Sequence, residues 1–153
     1  MNLLTIHVAL SLIGIATGLV VLVGMVRGKY AGTLTAIFLG TTVATSITGF
    51  PLLPFGFDPP RAIGLLSLVL LGFALAALYV FKLAGSWRWI YVVTAVIALY
   101  FNCFVGVVQT FQKVEFFKAL APTQKEPPFA IAQIAVLVLF IVAGVLAVRR
   151  FRR

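Results

Sequence analysis

The chain has 153 residues, of which 63% are apolar and 10% charged, and its mean hydropathy is +1.18. A soluble domain is about 45–50% apolar and about 25% charged, so the composition excludes a soluble globular protein, a disordered chain and a nucleic-acid-binding domain. The net charge of +9 lies between long apolar runs, where lipid headgroups and membrane topology account for it.

About 20 apolar residues carry a helix across the hydrocarbon core, and five segments meet that length. The first is 3–26, stopped by Arg27-Gly28-Lys29. It has no basic residue before it and exceeds a signal-peptide core, so it reads as a retained span. The second, 31–50, is the least hydrophobic because it holds Thr41, Thr42, Thr45, Ser46 and Thr48, and Pro51 ends it. The connection 51–60 is apolar and broken by Pro51, Pro54, Pro59 and Pro60, which places it in the interface or dipping back into the bundle. The third span is 61–83. The fourth, 89–112, follows the Trp87-Arg88-Trp89 cluster, which suits an aromatic belt. Residues 113–128 read as a short interfacial helix and an extended stretch. The fifth span, 129–148, is stopped by Arg149-Arg150-Phe151-Arg152-Arg153. The runs are continuous rather than alternating, which argues against a β-barrel.

Orientation follows from the basic residues. Arg27, Lys29, Lys82, Arg88 and the four tail arginines fall on one side. Arg61, Lys113, Lys118 and Lys125 fall on the other, together with all three acids, Asp58, Glu115 and Glu126. The richer side should be cytoplasmic. The fold class is therefore all-α: residues 1–153 as one integral membrane bundle of about five transmembrane helices, N-terminus outside, C-terminus cytoplasmic. Arg149, Arg150, Arg152 and Arg153 are its topology anchors, in contact with anionic lipid headgroups.

In lipid, helices associate through small residues and turn polar side chains inward. His7, Ser11, Gly14 and Gly18 form one stripe on the first span, and Gly14-x-x-x-Gly18 lets another backbone come close. Tyr91, Ala95, Ala98, Asn102, Gly106 and Gln109 form one on the fourth. Gly14, Gly18 and Gly106 are thus read as helix-packing positions. His7, Thr45, Thr48, Asn102, Gln109 and Gln133 are candidate ligand-binding residues. All lie mid-membrane or toward the outer side, which suggests a polar pocket opening outward under the proline-rich connection. Each has a structural alternative: His7 satisfied by a nearby threonine or carbonyl, the amides in interhelical hydrogen bonds, and the hydroxyls bonded back to i−4 carbonyls. Cys103 reads as a buried, inert thiol.

No carboxylate lies within a span, and no catalytic triad, P-loop, dinucleotide fingerprint or HExxH is present. One cysteine allows neither an intrachain disulfide nor a cysteine-based metal site. Catalytic and metal-binding residues are therefore none, and the chain leans away from an enzyme.

Several segments together carry a resemblance: Thr45-Ser46-Ile47-Thr48-Gly49-Phe50, Trp87-Arg88-Trp89-Ile90-Tyr91, Ala98-Leu99-Tyr100-Phe101-Asn102, Gln109-Thr110-Phe111-Gln112-Lys113, Leu120-Ala121-Pro122-Thr123-Gln124 and Glu126-Pro127-Pro128-Phe129. The set resembles a group of small polytopic bacterial inner-membrane proteins with no established activity. It implies a bacterial inner-membrane location and an all-helical fold, and no site residues.

The functional expectation is a non-enzymatic binding or accessory subunit that offers its outer-side pocket to a lipophilic ligand or a partner helix. A homo-oligomeric channel or transporter lined by the small or hydroxyl stripes is the first alternative. The second is a membrane redox protein with His7 on a tetrapyrrole. No cofactor follows from the motifs; haem or quinone belongs to these alternatives. Nucleic acid is not an expected partner.

Overall fold

The computed structural model describes residues 3–30, 32–52, 59–113, 115–120 and 127–151. Among them it is all helical, without strands: α1 Leu3–Val26, α2 Gly32–Leu52, α3 Pro59–Leu75 running into a π-helical turn Ala76–Val80, α4 Trp87–Lys113, α5 Glu115–Leu120 and α6 Pro127–Arg150. Three helices are long and apolar enough to cross a membrane: Thr5–Val26, Trp87–Val108 and Pro127–Arg150. Gly32–Thr48 and Gly64–Val80 are shorter apolar helices. The central parts of the proline-rich connection (53–58) and of the α5–α6 connection (121–126) lie outside the described residues.

Local chemistry sets the helix ends. α1 closes at Gly28, whose φ of +75° is the left-handed conformation that glycine adopts without a Cβ penalty. There Lys29 N–H donates to the Gly24 carbonyl at 2.7 Å and Gly28 N–H to Met25 at 3.0 Å, the paired bonds of a Schellman ending. α2 continues through Pro51 to Leu52 rather than stopping before the proline. A proline in the last turn forgoes one intrahelical bond with little helix left to break. α3 does not reach Leu83 as a regular helix. It widens at Ala76–Val80, and Lys82 and Leu83 then take left-handed φ values of 51° and 63°, at a cost of roughly 1–2 kcal/mol each. Leu83 N–H donates back to the Ala77 carbonyl at 2.8 Å, and Phe81 stacks on Trp87 at 4.1 Å. Together these fold the chain tightly into α4.

The helices form a closed circuit: α1 against α2, α2 against α3, α3 against α4, α4 against α6, and α6 back against α1. α4 also meets α1 and α2 across the circuit, so it is the hub. Its small or flat inner positions are buried, with Tyr91, Ala95, Ala98 and Leu99 at 1% exposure or less. At Gly18 the fit is closest. A Cβ there would lie 2.5 Å from Leu99 Cδ1 and 2.9 Å from the Phe38 ring. The outward faces stay apolar, with Ile131, Leu139 and Val80 about two-thirds exposed. In water such a surface would aggregate; in a bilayer it faces its solvent.

Residues 27–30, the connection 81–86 and the C-terminal end of α6 meet at one end, the basic end. Arg88 Nη1 donates to the carbonyls of Val148 at 2.6 Å and Phe151 at 3.0 Å. It thus satisfies acceptors that the end of α6 leaves without helical partners. Phe151 is 1% exposed and packs its ring near Tyr30 and Tyr91, with centroids 6.3 and 5.7 Å away. A Cβ on Gly28 would lie 2.9 Å from the Arg150 carbonyl oxygen. The tail is therefore docked as well as charged.

Two substitutions measure this packing. Gly18→Ala should destabilise the bundle by about 1–3 kcal/mol through overpacking. Gly40→Ala, with nothing within 4 Å of the added Cβ, should be neutral or stabilising by up to about 1 kcal/mol. Thermal or denaturant unfolding in detergent reads both. Phe151→Ala should cost about 3 kcal/mol in the same assay, as a cavity at a fully buried aromatic does.

Candidate functional site

Away from the basic end, the polar side chains of α1, α2 and α4 meet in pairs. His7 Nδ1 lies 2.8 Å from Thr48 Oγ1. The Thr48 hydroxyl donates its proton to the Ala44 carbonyl at 2.8 Å. With that proton committed, the threonine oxygen is free to accept from the ring Nδ1–H. The His7 spacing from the other stripe residues keeps it on the α1 face turned to α2.

Deeper along α1, the Ser11 hydroxyl donates to Asn102 Oδ1 at 3.3 Å. Gly14 makes the room. A Cβ there would lie 3.1 Å from Thr42 Oγ1, 3.2 Å from Thr41 Oγ1 and 3.4 Å from Asn102 Nδ2. Two helices, α2 and α4, thus bring polar atoms around one glycine of α1. The α2 hydroxyls donate within their own helix: Thr41 to Ile37, Thr42 to Phe38 and Thr45 to Thr41, at 2.6–2.7 Å. Their oxygens turn lone pairs toward the interface. Thr45 is 8% exposed.

Gln133 stands apart. Its Nε2 donates to the Phe104 carbonyl on α4 at 3.4 Å, on the α6 side of that helix, whereas Asn102 faces α1. The structure therefore brings His7 to Thr48, and Asn102 to Ser11, Gly14 and the α2 threonines, and leaves Gln133 at a separate contact. Gly106 packs against Ile15, 3.5 Å from its would-be Cβ. The Gln109 side chain lies outside the described residues, as do Arg152 and Arg153. Arg149 and Arg150 are exposed in the last turn of α6. Cys103 is a free, part-buried thiol.

Two atoms of this region are buried without a hydrogen-bond partner, Asn102 Nδ2 and Gln133 Oε1. One is a donor and the other an acceptor. An unmade hydrogen bond on a buried polar group costs about 1–3 kcal/mol. At the basic end, Tyr91 and Thr35 are likewise buried, side by side. Among the described residues no group of three His, Cys, Asp or Glu could hold a metal ion.

A groove of ≈ 400 Å³ opens between α4 and α6 toward the basic end. It is lined by apolar side chains, with Tyr100 and Phe140 along it and Arg149 at its mouth. Sequence reasoning missed this groove, the Arg88 cap and the burial of Phe151. A single aromatic between two arginine pairs was the one available signal for the last.

Comparisons with family models, with curated proteins and with solved structures find no match to the chain.

The orphaned amide predicts a diagnostic pair of variants. Asn102→Leu removes a weak interhelical hydrogen bond, worth about 0.6 kcal/mol on average in membranes, together with an unsatisfied donor. It should change ligand-free stability by less than about 1 kcal/mol. Asn102→Asp introduces a charge and should cost about 2.5–3.5 kcal/mol. Detergent unfolding checks both; a large cost for the leucine variant would mean that the amide is fully partnered.

Proposed function

We propose that the chain is a multi-pass protein of the bacterial inner membrane whose five long helical segments all span the bilayer, with the N-terminus outside and the basic end cytoplasmic. In this reading it is a non-enzymatic binding or accessory subunit. The polar cluster of α1, α2 and α4 receives the polar group of a lipophilic ligand or of a partner helix. The single observation that carries the reading is the unpartnered, buried Asn102 Nδ2. It is a hydrogen-bond donor 3.4 Å from where a Gly14 Cβ would lie, in surroundings where no bulk water repays its desolvation. A carbonyl or ether oxygen is the chemistry that such a donor takes. His7, Thr45 and Thr48 line the same α1–α2 contact. Gln133 offers an acceptor on the α6 side, and Gln109 follows on α4. The hydroxyls of Thr41, Thr42, Thr45 and Thr48 favour this over a hydrated path, since these four donate to their own helix. Arg149 and Arg150, with Arg152 and Arg153 beyond them, hold the basic end at anionic headgroups.

Native mass spectrometry of protein released from mild detergent tests the binding reading. The expected result is a discrete bound mass that Asn102→Ala loses while retaining its helical circular dichroism. A bare wild-type chain, or a bound mass indifferent to Asn102 and His7, would overturn it. Reporter fusions at the basic end should report a cytoplasmic location.

A further inference from the structure

The groove between α4 and α6 is open to the side, not enclosed by the bundle. Gly144 forms part of its wall, where a side chain would otherwise fill the space; a Cβ there would already lie 3.5 Å from Val96 Cγ1. Its lining is apolar apart from the Tyr100 hydroxyl and a single charged residue, Arg149. The α6 lining runs from Leu137 to Arg149, which at about 1.5 Å per residue is roughly 18 Å. Half of a bilayer's hydrocarbon core is about 15 Å. The groove is thus one leaflet deep and ends at a cation where headgroups would lie.

Among the described residues, no acidic side chain lines the groove beside that charge. The one acid among the described residues, Glu115, stands on α5, after the far end of α4. At this end Arg88 donates to the Val148 and Phe151 carbonyls, and Arg149 is exposed. A second copy of the chain seated symmetrically here would set Arg149 and Arg150 against their equivalents, a like-charge contact. We propose that the groove holds one acyl chain of an anionic glycerophospholipid from the leaflet at the basic end, its phosphate on the Arg149 guanidinium. The planar fork of arginine suits bidentate phosphate binding, and the apolar wall gives the chain a fixed path where bulk lipid has none. This rests on the reading of the chain as membrane-embedded with its basic end at a headgroup layer.

The test is native mass spectrometry after exchange into detergent containing either phosphatidylglycerol or phosphatidylcholine with identical acyl chains. One phosphatidylglycerol should be retained per chain and phosphatidylcholine should not. Val145→Trp fills the groove from its exposed side and should abolish retention. Arg149→Gln should weaken it about fivefold, as loss of one interfacial cation does. Val138→Trp, exposed on α6 and away from the lining, should behave as wild type. Equal retention of the two lipids, undiminished retention in Val145→Trp, or a doubled protein mass would overturn the proposal. Alkaline carbonate extraction separates this failure from the other: a chain washed off membranes defeats the membrane reading itself, whereas an embedded chain without lipid selectivity defeats only the groove.

Discussion

At Gly18 the backbone of α1 approaches α4 and α2 so closely that Leu99 and the Phe38 ring occupy the space of a side chain. Lipid tails are as apolar as leucine, so no hydrophobic force drives one helix onto another inside a bilayer. Dispersion must do it. Each contact is worth only about 0.1–0.2 kcal/mol and falls off steeply with distance. Close approach is therefore the condition for a bundle at all. Gly18 supplies it at the centre, the small inner positions Ala95 and Ala98 extend it along α4, and the remaining helices close around that hub.

The polar groups follow from the same geometry. Gly14, one turn from Gly18, holds the backbones near enough for Ser11 to reach Asn102 and for the α2 threonines to crowd the amide. The packing that makes the pair also leaves the second amide atom without a partner. A soluble protein would let water reach such an atom; here the neighbours are apolar or already committed. The tension between tight packing and polar satisfaction is what makes this region the candidate site.

Much of this was legible in the residues. The apolar run ended by Arg27-Gly28-Lys29 is α1, and its Ser11-Gly14-Gly18 positions meet α4 near Leu99 and Asn102 because helical period puts each set on one side. What periodicity could not give is which helices are neighbours. Gln133 on α6 reaches the Phe104 carbonyl of α4, whereas Asn102 on α4 turns to Ser11 on α1. The groove arises from what Gly144 leaves empty between two particular helices, and depth and composition say nothing about that. Phe151 was hidden by its company: two arginine pairs signal a headgroup layer, and only the docking of α6 beside Tyr30 and Tyr91 turns the ring inward. The π-helical turn before Lys82 likewise left no mark in an apolar run that reads as uninterrupted helix.

The docking of α6 at Gly28 and Arg88 sets an order on biosynthesis. The partners of that contact are about 120 and 60 residues apart along the chain and so carry a high loop-closure cost. During translation, α1, α2, α3 and α4 can pair with their immediate neighbours as each emerges. The circuit closes only once α6 has left the ribosome. Until then one flank of α1 and of α4 is uncovered, and the buried Tyr91 end of the hub lacks its aromatic cover. A nascent chain stalled in the α5–α6 connection would therefore be an open arc rather than a ring, with a newly exposed edge for membrane quality-control proteases to recognise.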